Sequence, residues 1–192
     1  GWVKLIFVSL ALLFFSIGMA RPQLGAILKE KEIKGAEIMI VLDVSNSMLA
    51  EDYSPNRLER AKLAISKLVD ELQGDRIGLI IFAGQSFVQL PITSDYVSAK
   101  IFLNSITNES VPVQGTALGE AIHTALRSFT SESENSRAVI LITDGENHED
   151  DPVSAAKDAL SVGARVFCVG VGSFEGKPIP MNGELLKDQD GN

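Results

Sequence analysis

Five oxygen-bearing residues from three separate stretches are the part of this sequence whose types and spacing could do chemistry. In VLDVSNSMLAED (41–52) an apolar run ends at Asp43, and Ser45 and Ser47 follow at every second position. The stretch VQGTALGE (113–120) carries Thr116, and the run AVILITD (138–144) ends in Asp144. The set joins two carboxylates to three neutral hydroxyls, with neither nitrogen nor sulfur. Hard, small cations such as Mg²⁺ or Mn²⁺ take oxygen ligands and need few carboxylates. With only two acids, such an ion stays under-neutralised and still attracts an anionic group from another molecule. Taken alone, Asp43 and Ser45 also fit a strand-to-helix turn whose side chains cap backbone amides. That reading leaves Thr116 and Asp144 unexplained.

These residues need elements that bring them to one place. Four short apolar runs recur, EIMIVLD (37–43), RIGLIIFA (76–83), AVILITD (138–144) and RVFCVGV (165–171). They are rich in Ile and Val and do not alternate, as expected of parallel strands covered on both faces. Between the first two lies SPNRLERAKLAISKLVDEL, where Leu58, Ala61, Ile65, Leu68 and Leu72 recur at helical steps. Pro55 is placed in its opening turn, and Gly74 stops it. Ser94 is expected to cap DYVSAKIFLNSI, and TALGEAIHTALRSF sets Leu118, Ile122, Ala125 and Phe129 on one face. DPVSAAKDALSVGA is a further helix. SFVQLPIT reads as an extra strand that Pro91 confines to an edge. The order βαββααβαβ predicts a doubly wound, Rossmann-like α/β domain, mostly parallel with one antiparallel edge strand. In such a sheet ligands bind beyond the carboxyl ends of the strands, where Asp43 and Asp144 lie.

The motif DVSNSM resembles the Asp-x-Ser-x-Ser signature of von Willebrand factor type A (VWA) domains. Gly115-Thr116 and Thr143-Asp144-Gly145 match the other two parts, in order, and IFAG at 81–84 is also usual there. The resemblance spans roughly residues 36–175. It implies that Ser45, Ser47 and Thr116 contact the metal, and that Asp43 and Asp144 act directly or through water. A Glu or Asp of a protein partner would complete the shell, in a metal-ion-dependent adhesion site. It further implies an exchange between Thr116 and Asp144 that accompanies ligand capture. An apolar segment ending ARPQLG before such a domain is similar to the Bat proteins, the bacterial aerotolerance group, whose domains are tethered by helices on either side. That likeness implies a place in the bacterial inner membrane, with the domain expected on the periplasmic side, and a hetero-complex with related membrane proteins.

The flanks set the expected organisation: a transmembrane helix at 1–22, a polar connector at 23–36, the VWA domain at 37–175, and a hairpin with the end of the domain at 176–192. Leu5–Ala20 holds no charge and is bracketed by Lys4 and Arg21. A signal peptide is the competing reading, given the small residues near Ala20. The chain begins with Gly and stops without a closing helix, so it reads as a piece of a longer protein. Asn182-Gly183 and Asp190-Gly191 suggest hairpin turns.

Charge and composition exclude other classes. The total is −8 over 192 residues, and the first 22 contribute +2 through Lys4 and Arg21, so the rest carries −10. An acidic domain lacks the basic footprint of a nucleic-acid binder. The single cysteine, Cys168, can form neither an internal disulfide nor a cysteine-based metal site, and is expected in the core. The acidic run at 145–151, with Glu51 and Asp52, could draw in cations or a basic rim. His148 is a candidate base but reads more simply as a solvated loop histidine, and His123 as part of a helix face. A metal-dependent hydrolase or phosphatase is the alternative reading. A haloacid-dehalogenase-type phosphatase, however, needs a second Asp where Ser45 stands, and no phosphate-binding glycine loop is present. The domain is therefore read as a binding module and not an enzyme. Because the site lies at the surface end of the sheet, Asp43→Ala is expected to leave folding nearly intact.

Overall fold

The computed structural model describes residues 1–19, 35–130, 136–145, 150–173, 179–181 and 184–185. Two units separate, Gly1–Glu32 and Ile33–Asn192. In the first, helix α1 runs Trp2–Met19. The sequence predicts a transmembrane helix here, and the described residues do not bear that out: among them no helix is long and apolar enough to cross a membrane. Eighteen residues rise about 27 Å, against about 30 Å of hydrocarbon.

In the second unit the elements follow as β1 (Glu37–Asp43), α2 (Arg57–Glu71), β2 (Arg76–Phe82), β3 (Ser86–Thr93), α3 (Tyr96–Ser105), α4 (Leu118–Ser128), β4 (Arg137–Thr143), α5 (Pro152–Ser161) and β5 (Ala164–Gly170). The sheet order is β3-β2-β1-β4-β5. Strand β1 is central and parallel to both β2 and β4, β4 is parallel to β5, and β3 runs antiparallel on the outer side of β2. The register is level: Asp43 faces Phe82 across one ladder, and Leu42 faces Ile142 across the other. The carboxyl ends of the three inner strands therefore form one edge.

Strand periodicity divides the core into two layers. Ile40 and Leu42 point to the side of α2 and α3, where Leu58, Ile65 and Leu103 are buried. Met39 and Val41 point the other way, onto Ile122 and Ala125 of α4 and Ala155 and Ala159 of α5. Both faces of β1 are thus covered, which is why its sequence does not alternate. Each fully buried Ile or Leu side chain contributes about 1.5–3 kcal/mol, so the central strand that carries Asp43 is firmly held.

Helix starts differ from expectation in two places. Asn56, not a Pro55 opening turn, begins α2: its side chain accepts from the Glu59 amide at 2.8 Å. Asp95, not Ser94, caps α3, accepting from the Val97 and Ser98 amides. In both cases the cap lies one residue nearer the apolar run than expected, close enough for its oxygen to reach the free amides. Cys168 is exposed rather than in the core. It lies on edge strand β5, where Phe167 and Val169 are also half exposed, so the expectation of cover on both faces fails for this strand. Two short strands, β6 (Pro180–Met181) and β7 (Glu184–Leu185), pair antiparallel. Both expected turns, at 182–183 and 190–191, and all but the last two residues of the connector lie outside the described residues.

Candidate metal centre

Asp43 ends the central strand with its side chain fully buried. Its Oδ1 accepts from the Ser45 amide at 2.9 Å and from Ser45 Oγ at 2.6 Å, while Oδ2 accepts from Thr143 Oγ1 at 2.7 Å. Ser45 Oγ stands 3.0 Å from Ser47 Oγ. The alternation in the sequence produces this cluster. Val44 and Met48 are drawn into the core with no exposed surface, and a short 3-10 turn over Asn46–Leu49 follows β1. The polar residues between those anchors are left to gather around the carboxylate. Ser45 and Ser47 are themselves only 4% and 7% exposed.

Thr116 arrives on a second loop and is buried at 4% exposure. That loop is fastened at both ends. The Ala117 amide donates to the Ala83 carbonyl at 2.9 Å, and the Gly84 amide to Val113 at 3.0 Å. Gly84 permits this approach, since a Cβ there would stand 2.6 Å from the Gln114 carbonyl oxygen. Gln114 closes the link to the first loop, its Oε1 accepting from the Asn46 amide at 3.1 Å.

Asp144 lies one residue past β4, and its side chain is 2% exposed. Its Oδ2 accepts from Arg57 Nη1 at 3.0 Å. The same guanidinium grips Asp52 through Nε at 2.9 Å and Nη2 at 3.0 Å, and Asp52 also accepts from the Ser173 amide at 2.7 Å. Those bonds, the Arg57 one first, hold the Asp52 carboxyl well below the usual carboxylate range. Asp52 therefore adds no charge for drawing in cations, contrary to the expectation, because its charge is buried and paired. Sequence reasoning missed Arg57. A signal existed: a cation in the first turn of a helix opposes the helix dipole, so an arginine there needs another reason.

The five expected residues thus fall into connected groups. Asp43, Ser45 and Ser47 are joined directly. Thr143 ties them to the strand that delivers Asp144, and Gln114 ties their loop to that of Thr116. His148 lies outside the described residues, and His123 Nε2 sits 3.2 Å from Asp158 Oδ2, between α4 and α5. Burial pushes the Asp43 carboxyl up to about 6, with the hydrogen bonds from Ser45 and Thr143 opposing and the Asp144 charge adding to the rise. A divalent cation would offset that cost by pairing the buried charge. The donor chemistry of the five expected residues fits a hard ion, since they offer oxygens only.

Residues 38–146 match the von Willebrand factor type A domain family. Among solved structures, an aerotolerance-related membrane protein of Bacteroides fragilis is 54% identical, covering 82% of this chain and 79% of its own, with a TM-score of 0.79. BatB of Bacteroides thetaiotaomicron, described as a conserved hypothetical protein, is 56% identical over 82% of this chain and 78% of its own, with a TM-score of 0.78. The likeness to the Bat group, read from the flank ending ARPQLG, is borne out. The chain spans about half the length of curated relatives it matches: an uncharacterized protein of Borreliella burgdorferi is 32% identical over 88% of this chain and 50% of that protein. With the family match covering more than half of its length, the chain belongs to the von Willebrand factor type A domain family.

Proposed function

We propose that the domain is a protein-binding module, without turnover of its own, that holds one Mg²⁺ or Mn²⁺ through Asp43, Ser45, Ser47, Thr116 and Asp144. The observation that carries this reading is the buried Asp43–Ser45–Ser47 cluster at the end of the central strand, with Asp144 delivered by its neighbour. When bound, the ion would have its charge no more than balanced by two carboxylates and, with octahedral coordination, a position that the five protein oxygens leave open for a Glu or Asp oxygen of a partner protein. Asp43 supplies the buried charge, Ser45 and Ser47 fix its direction, and Thr116 and Asp144 approach from separate loops.

Calorimetric titration of the full chain with Mn²⁺ tests this. Asp43→Asn is expected to abolish binding. It is the better probe than Asp43→Ala, contrary to the expectation from sequence, because the carboxylate is fully buried. Alanine would strip the Thr143 hydroxyl and the Ser45 amide of their acceptor, at about 1–3 kcal/mol for each group left unsatisfied. Equal Mn²⁺ affinity in wild type and Asp43→Asn would sink the reading. Metal-dependent phosphate release from simple esters, lost in the same variant, would favour the hydrolase instead.

Membrane association is part of the proposal. Within its own unit α1 exposes Trp2, Phe7, Phe14, Phe15 and Met19 together with Leu5, Ile6, Leu10, Leu12 and Leu13, and Lys4 is its only charged residue. One solved protein similar to this chain is described as a membrane protein. A complex with related membrane proteins is consistent with that likeness, as is the inner membrane of a bacterium with the domain on the periplasmic side.

A further inference from the structure

We propose that Arg57 is a positioning residue that limits how Asp144 meets the cation, and thereby makes the site prefer Mg²⁺ or Mn²⁺ over Ca²⁺. The inference rests on the metal-binding reading above. Arg57 opens α2, where the positive end of the helix disfavours a cation, and its side chain is only 11% exposed. Asp52 takes both Nε and Nη2 in a two-pronged contact that balances one charge. The remaining nitrogen, Nη1, donates to a second buried carboxylate, Asp144 Oδ2, at 3.0 Å, so the arginine faces two acids with one charge.

The position of Arg57 is fixed from several sides. Asp52 is itself held by the Ser173 amide beyond β5. At Gly172 a Cβ would stand 3.4 Å from Arg57 Cζ, so the chain after β5 lies close against the guanidinium. The arginine thus joins the loops that follow β1, β4 and β5, and cannot swing away without breaking contacts to all of them.

This fixation bears on ion choice. While Oδ2 accepts from Nη1, one of its lone pairs is occupied and its orientation is held by the arginine, which disfavours a two-oxygen clasp of a cation by Asp144. Ca²⁺ takes six to eight oxygens and favours two-oxygen carboxylate contacts, whereas Mg²⁺ demands octahedral, single-oxygen contacts. The guanidinium charge also draws negative charge away from the cation side of Asp144. Both effects weaken Asp144 as a donor, the first selectively against Ca²⁺.

Calorimetric titration of the full chain with Mg²⁺ and Ca²⁺ tests the proposal on wild type, Arg57→Met, Asp144→Asn and the double variant. Removing the nearby positive charge should tighten both ions by about threefold or more. Ca²⁺ should gain at least about threefold beyond Mg²⁺, because only Ca²⁺ uses a second carboxylate oxygen. In the Asp144→Asn background that change in preference should vanish, as coupling between contacting residues requires. A purely structural arginine would leave the Ca²⁺-to-Mg²⁺ ratio where it was, and an unchanged ratio in Arg57→Met overturns the proposal while the metal site stands. If wild type and Asp43→Asn both fail to bind either ion, the metal reading falls and this proposal with it. Should Arg57→Met not fold by circular dichroism, Arg57→Lys carries the test. Its single ammonium cannot hold both acids in the same geometry, so the ratio must still move towards Ca²⁺, and a fixed ratio is again fatal.

Discussion

The Asp43 carboxyl titrates close to neutrality because burial raises it to about 6, more than the hydrogen bonds from Ser45 and Thr143 lower it. The folded value lies above the ordinary 3.8, so on raising the pH the unfolded chain ionises first. Without metal, this carboxyl favours the fold fully below about pH 4, and that contribution is lost as pH rises through about 6. Cation binding carries the opposite sign, because the ion competes with the proton for the same oxygens. Mn²⁺ affinity is therefore expected to rise with pH up to about 6 and level off above it, falling roughly tenfold per unit on the acid side. Titrations at about pH 5, 6 and 7.5 check this, and an affinity flat across that range would separate Asp43 from the ion. Asp43, Ser45 and Ser47 were legible from their spacing alone, since one turn of chain holds all three. Arg57 was not, because its partners, Asp52 and Asp144, stand 5 and 87 residues away and only the second identifies its role.

Elements decide how far each loop can contribute. The loop bearing Thr116 is not loose: hydrogen bonds with Ala83, Gly84 and Asn46 fasten it to the turn that follows β2 and to the first loop. Two substitutions separate the hydroxyl from the loop that presents it. Thr116→Ala removes one neutral oxygen and should keep much of the Mn²⁺ affinity. Gly84→Ala would drive a methyl to 2.6 Å from the Gln114 carbonyl and displace the whole loop. It is expected to weaken Mn²⁺ at least as much as Thr116→Ala and to lower stability by about 1–3 kcal/mol, as overpacking does. Calorimetry with urea unfolding reads both, and a neutral Gly84→Ala would mean that this loop does not set the site. The strands and helices that build this arrangement were visible as apolar periodicity. The helix caps were misplaced because Pro55 and Ser94 are good start residues by type, and only backbone geometry shows that Asn56 and Asp95 hold the free amides.

The whole molecule combines an apolar helix with an acidic α/β domain. If α1 attaches the protein to a membrane, carbonate-washed vesicles should retain the full chain and release a variant carrying Leu10→Lys and Leu13→Lys. Equal release of both proteins would remove α1 from the account. By itself the sequence determined the fold class, the doubly wound order and the oxygen character of the site. Strand periodicity and a motif within one turn are local, and local patterns survive in one dimension. Only the tertiary structure decided that β5 is an edge whose Cys168 is exposed, that Asp43 is fully buried with a raised pKa, and that Arg57 holds Asp144. Each of those depends on which distant segments pack together, and no residue's own neighbours in the chain encode that.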